Sequence, residues 1–219
     1  MADLKARIAK RTAQEFHDGD VVNLGIGLPT MVADYIPDDI DIILHSENGF
    51  TGLAGAAEPG KEDVDVINSG GGYVTHVDHG NFFGSEESFS IVRGGHVDAT
   101  VLGAMEVDDK GNLANWIVPG KMVAGMGGAM DLVVGAKKVI IAMLHTQKGA
   151  HKILEKCTLP LTAMNVVDMI ITEMGVMEVT DKGLVLKERW ADYSVEDIKA
   201  ATGCPLIIAD DLKVNPVED

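Results

Sequence analysis

An apolar run, Ile42, Ile43 and Leu44, stops at Ser46-Glu47-Asn48-Gly49. A short β-branched run broken by Asn-Gly reads as a strand buried on both faces, which puts Glu47 just past the strand's carboxyl end. In open α/β sheets ligands bind at that edge, so an acid there is a candidate for chemistry as well as for a solvated turn. Three glycine-rich segments accompany it: Gly25-Ile26-Gly27, Ser69-Gly70-Gly71-Gly72 and Gly125-Met126-Gly127-Gly128. Backbone amides in such loops can hold a developing oxyanion while a carboxylate attacks a carbonyl carbon. The chemistry favoured is acyl transfer. A carboxylate is a poor nucleophile toward amides but adequate toward a thioester, whose leaving thiolate is weakly basic.

Other chemistries find less support. The chain has no G-x-S-x-G elbow and no plausible Cys-His pair. Cys157 and Cys204 make no disulfide framework and have no metal-ligand spacing, so each reads as a small packing residue. The spacing of His76, Asp78 and His79 could hold a metal, but no further histidine or cysteine supports it, and a solvated loop is the preferred reading. Gly25-x-Gly27 opens a helix and Glu47 follows 20 residues after Gly27, close to the spacing of a ribose-binding acid. Against a dinucleotide site, Thr30 stands at the third glycine position and Asn48-Gly49 follows the acid at once. A nucleotide-binding module remains the alternative from a different class, and a third is a regulatory subunit without catalysis.

The elements that must position these residues read as an α/β fold, an open and largely parallel sheet with flanking helices, in one domain spanning residues 1–219. A helix over 2–16 leads into a strand over 21–24. The Gly25–Gly27 turn then starts a helix at Pro29 running to about Tyr35, which offers several free N–H groups and a helix dipole to an anion. Residues 64–67 read as a strand, so that three strands in sequence run out into small-residue loops. Further strands are expected over 97–102, 112–116, 137–144, 168–172 and 206–209. Helices are expected over 129–134 and 149–156, and over 194–202 with a capping-box start at Ser194. Asp108–Gly111 and Asp181–Gly183 read as hairpin turns.

Composition bounds the function. A chain of 219 residues with 46% hydrophobic and 24% charged residues suits a globular protein. A formal net charge of −16 argues against nucleic acid and anionic membrane surfaces, and obliges any polyanionic ligand to find its positive potential locally or on a second chain. No hydrophobic signal segment follows Met1 and the aliphatic runs are too short to span a bilayer, so a cytoplasmic protein is expected.

Several blocks together resemble the β subunit of family I coenzyme A transferases. They are Ser46-Glu-Asn-Gly49, Asn23-Leu-Gly-Ile-Gly-Leu-Pro29, Arg93-Gly-Gly-His-Val-Asp98, Ala114-Asn-Trp-Ile-Val-Pro-Gly-Lys-Met122, Gly127-Gly-Ala-Met-Asp-Leu-Val133 and Lys156-Cys-Thr-Leu-Pro-Leu-Thr162. The resemblance runs through nearly the whole chain, and is strongest to acetate/butyrate:acetoacetate CoA-transferase subunits and the C-terminal half of 3-oxoacid CoA-transferases. It implies a CoA-transferase fold with Glu47 as nucleophile in a ping-pong reaction through an acyl-glutamyl anhydride and a glutamyl-CoA thioester. By the same resemblance Asn23 and Gly128 lie around the oxyanion, Gly25, Gly27 and Gly127 shape the loops, and Asn48 and Gly71 border the substrate. It further implies a coenzyme A thioester as substrate, with no permanently bound cofactor and no metal. The partner implied is the family's CoA-transferase α (alpha) chain, commonly in an α2β2 heterotetramer. Relatives that use dicarboxylates generally carry lysine at about Gly71. Glycine there implies short monocarboxylic and 3-oxo acids such as acetate, butyrate and acetoacetate, with a succinyl- or 3-oxoadipate-type enzyme or a CoA hydrolase as the variants within the class.

Overall fold

The computed structural model describes residues 3–217. Its frame is a ten-stranded sheet built from β1 (Val21–Leu24), β2 (Ile43–Ser46), β3 (Phe50–Ala56), β4 (Val74–Phe82), β5 (Ala99–Leu102), β6 (Lys138–Ala142), β7 (Met169–Ile171), β8 (Gly175–Thr180), β9 (Gly183–Trp190) and β10 (Leu206–Asn215). The spatial order is β10-β9-β8-β7-β6-β5-β1-β2-β3-β4. The five central strands, β7 to β2, run parallel, while β3–β4 and β8–β9 add antiparallel hairpins on either side. From β1 the chain first steps one way to β2 and later the other way to β5. That reversal opens a crevice at the carboxyl ends of β1 and its neighbours.

The central strands are apolar because they are covered on both faces. Along β6, Ile140 packs with Ile8, Val22, Val101 and Ile171 beneath helix α1 (Leu4–Ala13), whereas Val139 and Ile141 face Leu102, Leu113, Val133 and Ile170 on the other side. Asp3 caps α1 by accepting from the amides of Lys5 and Ala6 at 3.0 and 3.4 Å. Helix α2 (Ser85–Arg93) and helix α3 (Ala129–Gly135) lie against each other through Val92 and Leu132. Helix α4 (Val195–Ala201) starts with the expected capping box, the Asp197 amide donating to Ser194 Oγ at 3.1 Å and the Ser194 amide to Asp197 Oδ2 at 2.9 Å.

Several expectations need correction. Residues 64–67 form no strand: the Asp65 amide bonds the Asp63 side chain at 2.9 Å, Val64 is 72% exposed, and only Ile67 makes an isolated bridge, to Tyr73. A strand ending thus precedes two of the three glycine loops at most. The expected helix over 149–156 is extended chain. Lys148 and Gly149, both at positive φ, make a two-residue turn between Thr146–Gln147 and Ala150–His151, and Ile153 then pairs in parallel with Val107. Residues 28–35 are a 3-10 helix, with fewer residues per turn and poorer hydrogen-bond geometry than an α-helix. Strand β2 is not buried on both faces throughout, since Ile43 is 46% exposed. His76, Asp78 and His79 sit on the exposed edge strand β4, not in a loop. The first expected helical residue, Ala2, lies outside the described residues. Among the described residues no helix is long and apolar enough to cross a membrane.

Candidate active site

Glu47 begins the three-residue turn between β2 and β3, whose closing pair is Ser46 and Phe50. The Gly49 amide bonds the Ser46 carbonyl at 3.0 Å, and the Phe83 amide bonds the Gly49 carbonyl at 2.9 Å. A Cβ on Gly49 would overlap the Phe83 carbonyl oxygen, and its φ of 136° favours glycine as well. The turn is therefore fixed, and Glu47 stands half-buried at its first position.

Three of the expected residues meet there. Asn23, fully buried near the end of β1, donates from Nδ2 to Glu47 Oε2 at 2.9 Å and to the His45 carbonyl at 3.2 Å. Gly128 brings the start of α3 against the glutamate: a Cβ there would lie 3.1 Å from Glu47 Cγ and 3.1 Å from the Phe89 ring. Gly127 makes the preceding turn with a φ of 48°. The others support from a distance. Asn48 turns away from the carboxylate and ties the hairpin to the neighbouring loop, accepting from Ser46 Oγ at 2.6 Å and donating to the Ile67 carbonyl at 2.7 Å. That loop is organised by Asn68, whose Oδ1 accepts from the amides of Gly70 and Gly72 at 2.9 and 3.0 Å, with Gly71 at its tip with a φ of 78°. Gly25 offers no free amide, contrary to expectation. Its N–H bonds the Val101 carbonyl at 2.8 Å, and a Cβ there would meet Leu102 at 2.8 Å. Gly27, with a φ of 87°, starts the 3-10 helix.

Sequence reasoning missed four residues of this neighbourhood: His45, Ser88, Phe89 and Thr100. His45 and Thr100 share a face of the sheet, and Ser88 and Phe89 belong to α2, a helix left unrecognised although Gly84, the acids Glu86 and Glu87, and Arg93 before Gly94 were its start and stop signals. His45 is 3% exposed, its Nε2 lies 3.0 Å from Ser88 Oγ, and its ring stacks near that of Phe83. Burial pushes the His45 pKa down, against the opposing pull of the Glu47 charge, which favours the neutral ring.

A cavity of about 260 Å³ reaches Ser46 on the other side of β2, walled by Leu24, Ile26, Leu44, Leu53 and Tyr73 together with Asn68, Ser69, Gly70 and Gly72. Asp34 is the charged residue of its lining, which contains no lysine or arginine. A larger cavity of about 410 Å³ lies between α1 and the ends of β9 and β10, away from Glu47. Its arginines are engaged in ion pairs, Arg7 with Asp192 at 2.9 Å and Arg11 with Glu188 at 2.9 Å, and these join α1 to the sheet.

Fold and site together define an α/β protein that presents a half-buried carboxylate, held by the side-chain amide of Asn23, at the carboxyl edge of a parallel sheet. The chain belongs to the coenzyme A transferase family, whose model matches residues 5–201. It is 56% identical over 210 residues to the acetate CoA-transferase subunit beta of Haemophilus influenzae, covering 95% of this chain and 94% of that one. With the Escherichia coli K12 acetate CoA-transferase subunit beta it shares 51% over 213 residues, 96% of each chain. The mouse mitochondrial succinyl-CoA:3-ketoacid coenzyme A transferase 2A is 51% identical over 212 residues, which span 95% of this chain but 41% of that longer protein. Among solved structures, the acyl-CoA transferase YdiF of Escherichia coli O157:H7 superposes with a TM-score of 0.77 at 22% identity, over 97% of this chain and 43% of that one. Glutaconate coenzyme A-transferase of Acidaminococcus fermentans gives 0.74 at 18% identity, over 98% and 90%. Both likenesses bear on the fold.

Proposed function

We propose that this chain is the glutamate-bearing subunit of a CoA transferase that moves coenzyme A between short monocarboxylic acids, acetate or butyrate, and a 3-oxo acid such as acetoacetate. The observation that carries the reading is the 2.9 Å bond from Asn23 Nδ2 to Glu47 Oε2 at the carboxyl end of β2. With Oε2 held, Oε1 is the oxygen left to attack. It adds to the thioester carbonyl, the C–S bond breaks, and CoA leaves as its thiolate, giving an acyl-glutamyl anhydride. The thiolate then attacks the glutamyl carbonyl. Negative charge collects on Oε2, where the Asn23 amide already points, and the carboxylic acid leaves as its carboxylate. A second carboxylate attacks the glutamyl-CoA thioester and releases the thiolate again. That thiolate attacks the acyl carbonyl of the new anhydride, frees Glu47 and forms the product thioester. Water must be kept from both intermediates, because its entry would turn transfer into hydrolysis.

Charge supports the substrate class. A second carboxylate carried into a shielded pocket needs a cation. Neither the cavity beside Ser46 nor the Gly71 loop of this chain contains one, and Asp34 would repel it. The likeness to the mouse succinyl-CoA enzyme favours a dicarboxylate reading instead, which requires the cation to come from elsewhere. The relatives named as beta subunits support a partner subunit here. The assembly proposed is α2β2, in the cytoplasm, with the partner's surface supplying the positive potential that a chain of net charge −16 lacks.

The test is mass spectrometry of the two-subunit complex after incubation with acyl-CoA and no acceptor acid. The reading expects a CoA-sized addition on the peptide containing Glu47, lost in Glu47→Ala together with turnover. Turnover surviving that substitution would falsify the mechanism, and succinate used in preference to acetate would overturn the substrate assignment.

A further inference from the structure

Three adjacent parallel strands carry a polar side chain at the same level. Asn23 of β1 is in register with Thr100 of β5 on one side and with His45 of β2 on the other. Side chains in register on neighbouring strands share a face, and all three are at most 3% exposed. The residues before them, Val22, Ala99 and Leu44, are apolar and buried. Polar groups buried in such a sheet are costly unless they bond to one another, and these form a chain. Thr100 Oγ1 lies 3.4 Å from Asn23 Oδ1, Asn23 Nδ2 lies 3.5 Å from His45 Nδ1, and His45 Nε2 lies 3.0 Å from the fully buried Ser88 of α2.

The row has a direction. A side-chain amide keeps its shape when turned by 180°, but it then exchanges its donors for its acceptor. Turned over, Asn23 would aim Oδ1 at the Glu47 carboxylate and at the His45 carbonyl, two acceptors. In the observed orientation both Nδ2 hydrogens are taken by those two oxygens, so Oδ1 is the end that accepts, and Thr100 donates to it. At the other end Nδ2 has no third hydrogen to give, but an N–H on Nδ1 would point at the NH2 group 3.5 Å away, donor against donor, so that nitrogen is bare. The proton of the neutral ring is then on Nε2, where Ser88 Oγ accepts it. The opposite tautomer would aim an N–H at the asparagine and favour the turned amide.

We propose that Thr100 and Ser88 are positioning residues for the transfer reaction, holding from two ends the orientation in which Asn23 presents its NH2 group to Glu47. Neither touches the reacting atoms. The inference rests on the reading of Glu47 as the nucleophile, and it adds that two hydroxyls outside that contact set the rate.

The experiment compares Thr100→Val, Thr100→Ser, Ser88→Ala and Glu47→Ala with wild type, each chain co-purified with its partner subunit. Initial rates are measured against acyl-CoA and acetate and scaled to the folded fraction found by thermal unfolding. Valine keeps the shape of threonine and suits a buried strand, so loss of the hydroxyl is the change that is read. Thr100→Val and Ser88→Ala are each expected to lower kcat about tenfold, the scale on which misorientation of a catalytic group acts, with KM for acyl-CoA within about twofold. Thr100→Ser, which restores the donor, is expected to recover kcat. Wild-type kcat in both Thr100→Val and Ser88→Ala overturns the proposal, as does a change confined to KM or a serine variant no better than valine. Turnover by Glu47→Ala would instead remove the nucleophile assignment, so the two failures are told apart.

Discussion

Asn23 and Glu47 stand 24 positions apart in the sequence, yet the side-chain amide of one donates to the carboxylate of the other at 2.9 Å. Parallel pairing of β1 with β2 brings them together, because it sets Asn23 beside His45, two residues before the glutamate. Replacing this donor by an acceptor of equal size should be worse than deleting it. Asn23→Asp is expected to reduce kcat by about 10²–10³, the usual cost of losing one oxyanion donor, with added repulsion of Glu47. Asn23→Ala should fall at the lower end of that range. Steady-state kinetics on the assembled enzyme decide it, and an aspartate variant as active as wild type would remove Asn23 from the reaction.

Gly128 tests closeness, not chemistry. Its φ of −84° suits any residue, but a Cβ would sit 3.1 Å from Glu47 Cγ and equally near the Phe89 ring, so one of them must give way by a few tenths of an ångström. Gly128→Ala is expected to fold with a thermal midpoint within a few degrees of wild type, while kcat drops about tenfold through displacement of the carboxylate. Full activity would show that the ring, not the glutamate, absorbs the crowding.

The outline of this site was legible for a physical reason, and so was its limit. A β-branched run broken by Ser46-Glu47-Asn48-Gly49 places an acid at a strand end wherever the strand pairs, so Glu47 could be found from local pattern alone. The cross-strand row could not. Thr100, Asn23 and His45 become neighbours through register between strands that are distant in sequence, and Ser88 puts a hydroxyl on the buried face of α2 where an apolar residue would have advertised a helix. The 149–156 segment failed for a related reason. Its apolar Ile153 is buried by pairing with Val107 in a small separate sheet, a contact that no helical or alternating period announces. Gly25 looked like a free amide because a G-x-G turn resembles an anion site, while tertiary structure had already given its N–H to Val101.

Gly71 probes substrate choice. At the tip of the Asn68 loop it has no heavy atom within 4 Å of where its Cβ would be, so a long side chain has space, although the φ of 78° costs an L-residue about 1 kcal/mol. Gly71→Lys would add a cation to a loop, residues 67–72, that has none. The ratio of kcat/KM for succinate to that for acetate is expected to rise at least tenfold, most of it through succinate KM, as for a charge-assisted bond gained by the second carboxylate. An unchanged ratio, in a variant still active on acetate, would show that the loop does not face the acyl group.

Stability toward acid turns on a residue at the carboxyl edge beyond β6. His145 is fully buried, with Nδ1 2.9 Å from Thr172 Oγ1 and Nε2 3.0 Å from Thr202 Oγ1. Thr202 already donates its hydroxyl proton to the Ile198 carbonyl at 2.7 Å, so it accepts from Nε2–H and leaves Nδ1 to accept from Thr172. A second proton on the ring would have to displace that bond inside the protein. Burial, with smaller contributions from His151 and Lys152, accordingly pushes the His145 pKa from 6.5 down to about 4. The unfolded chain takes up this proton as the pH falls through 6.5 and the folded chain only near 4. Stability should therefore decline across that window, by on the order of 3 kcal/mol for this group, and rise again with pH. Glu188, lowered to about 2 against burial by its bonds to Arg11 and Asn215, acts in the same sense at lower pH, its contribution present above about 4.5 and lost as the pH falls toward 2. Urea unfolding at half-unit steps between pH 7 and 4 would read the first window, with His145→Gln as the comparison. The glutamine variant is expected to be less stable at pH 7 but to lose less on acidification. Parallel stability curves for the two proteins would mean that His145 takes up its proton in the folded chain as readily as in the unfolded one.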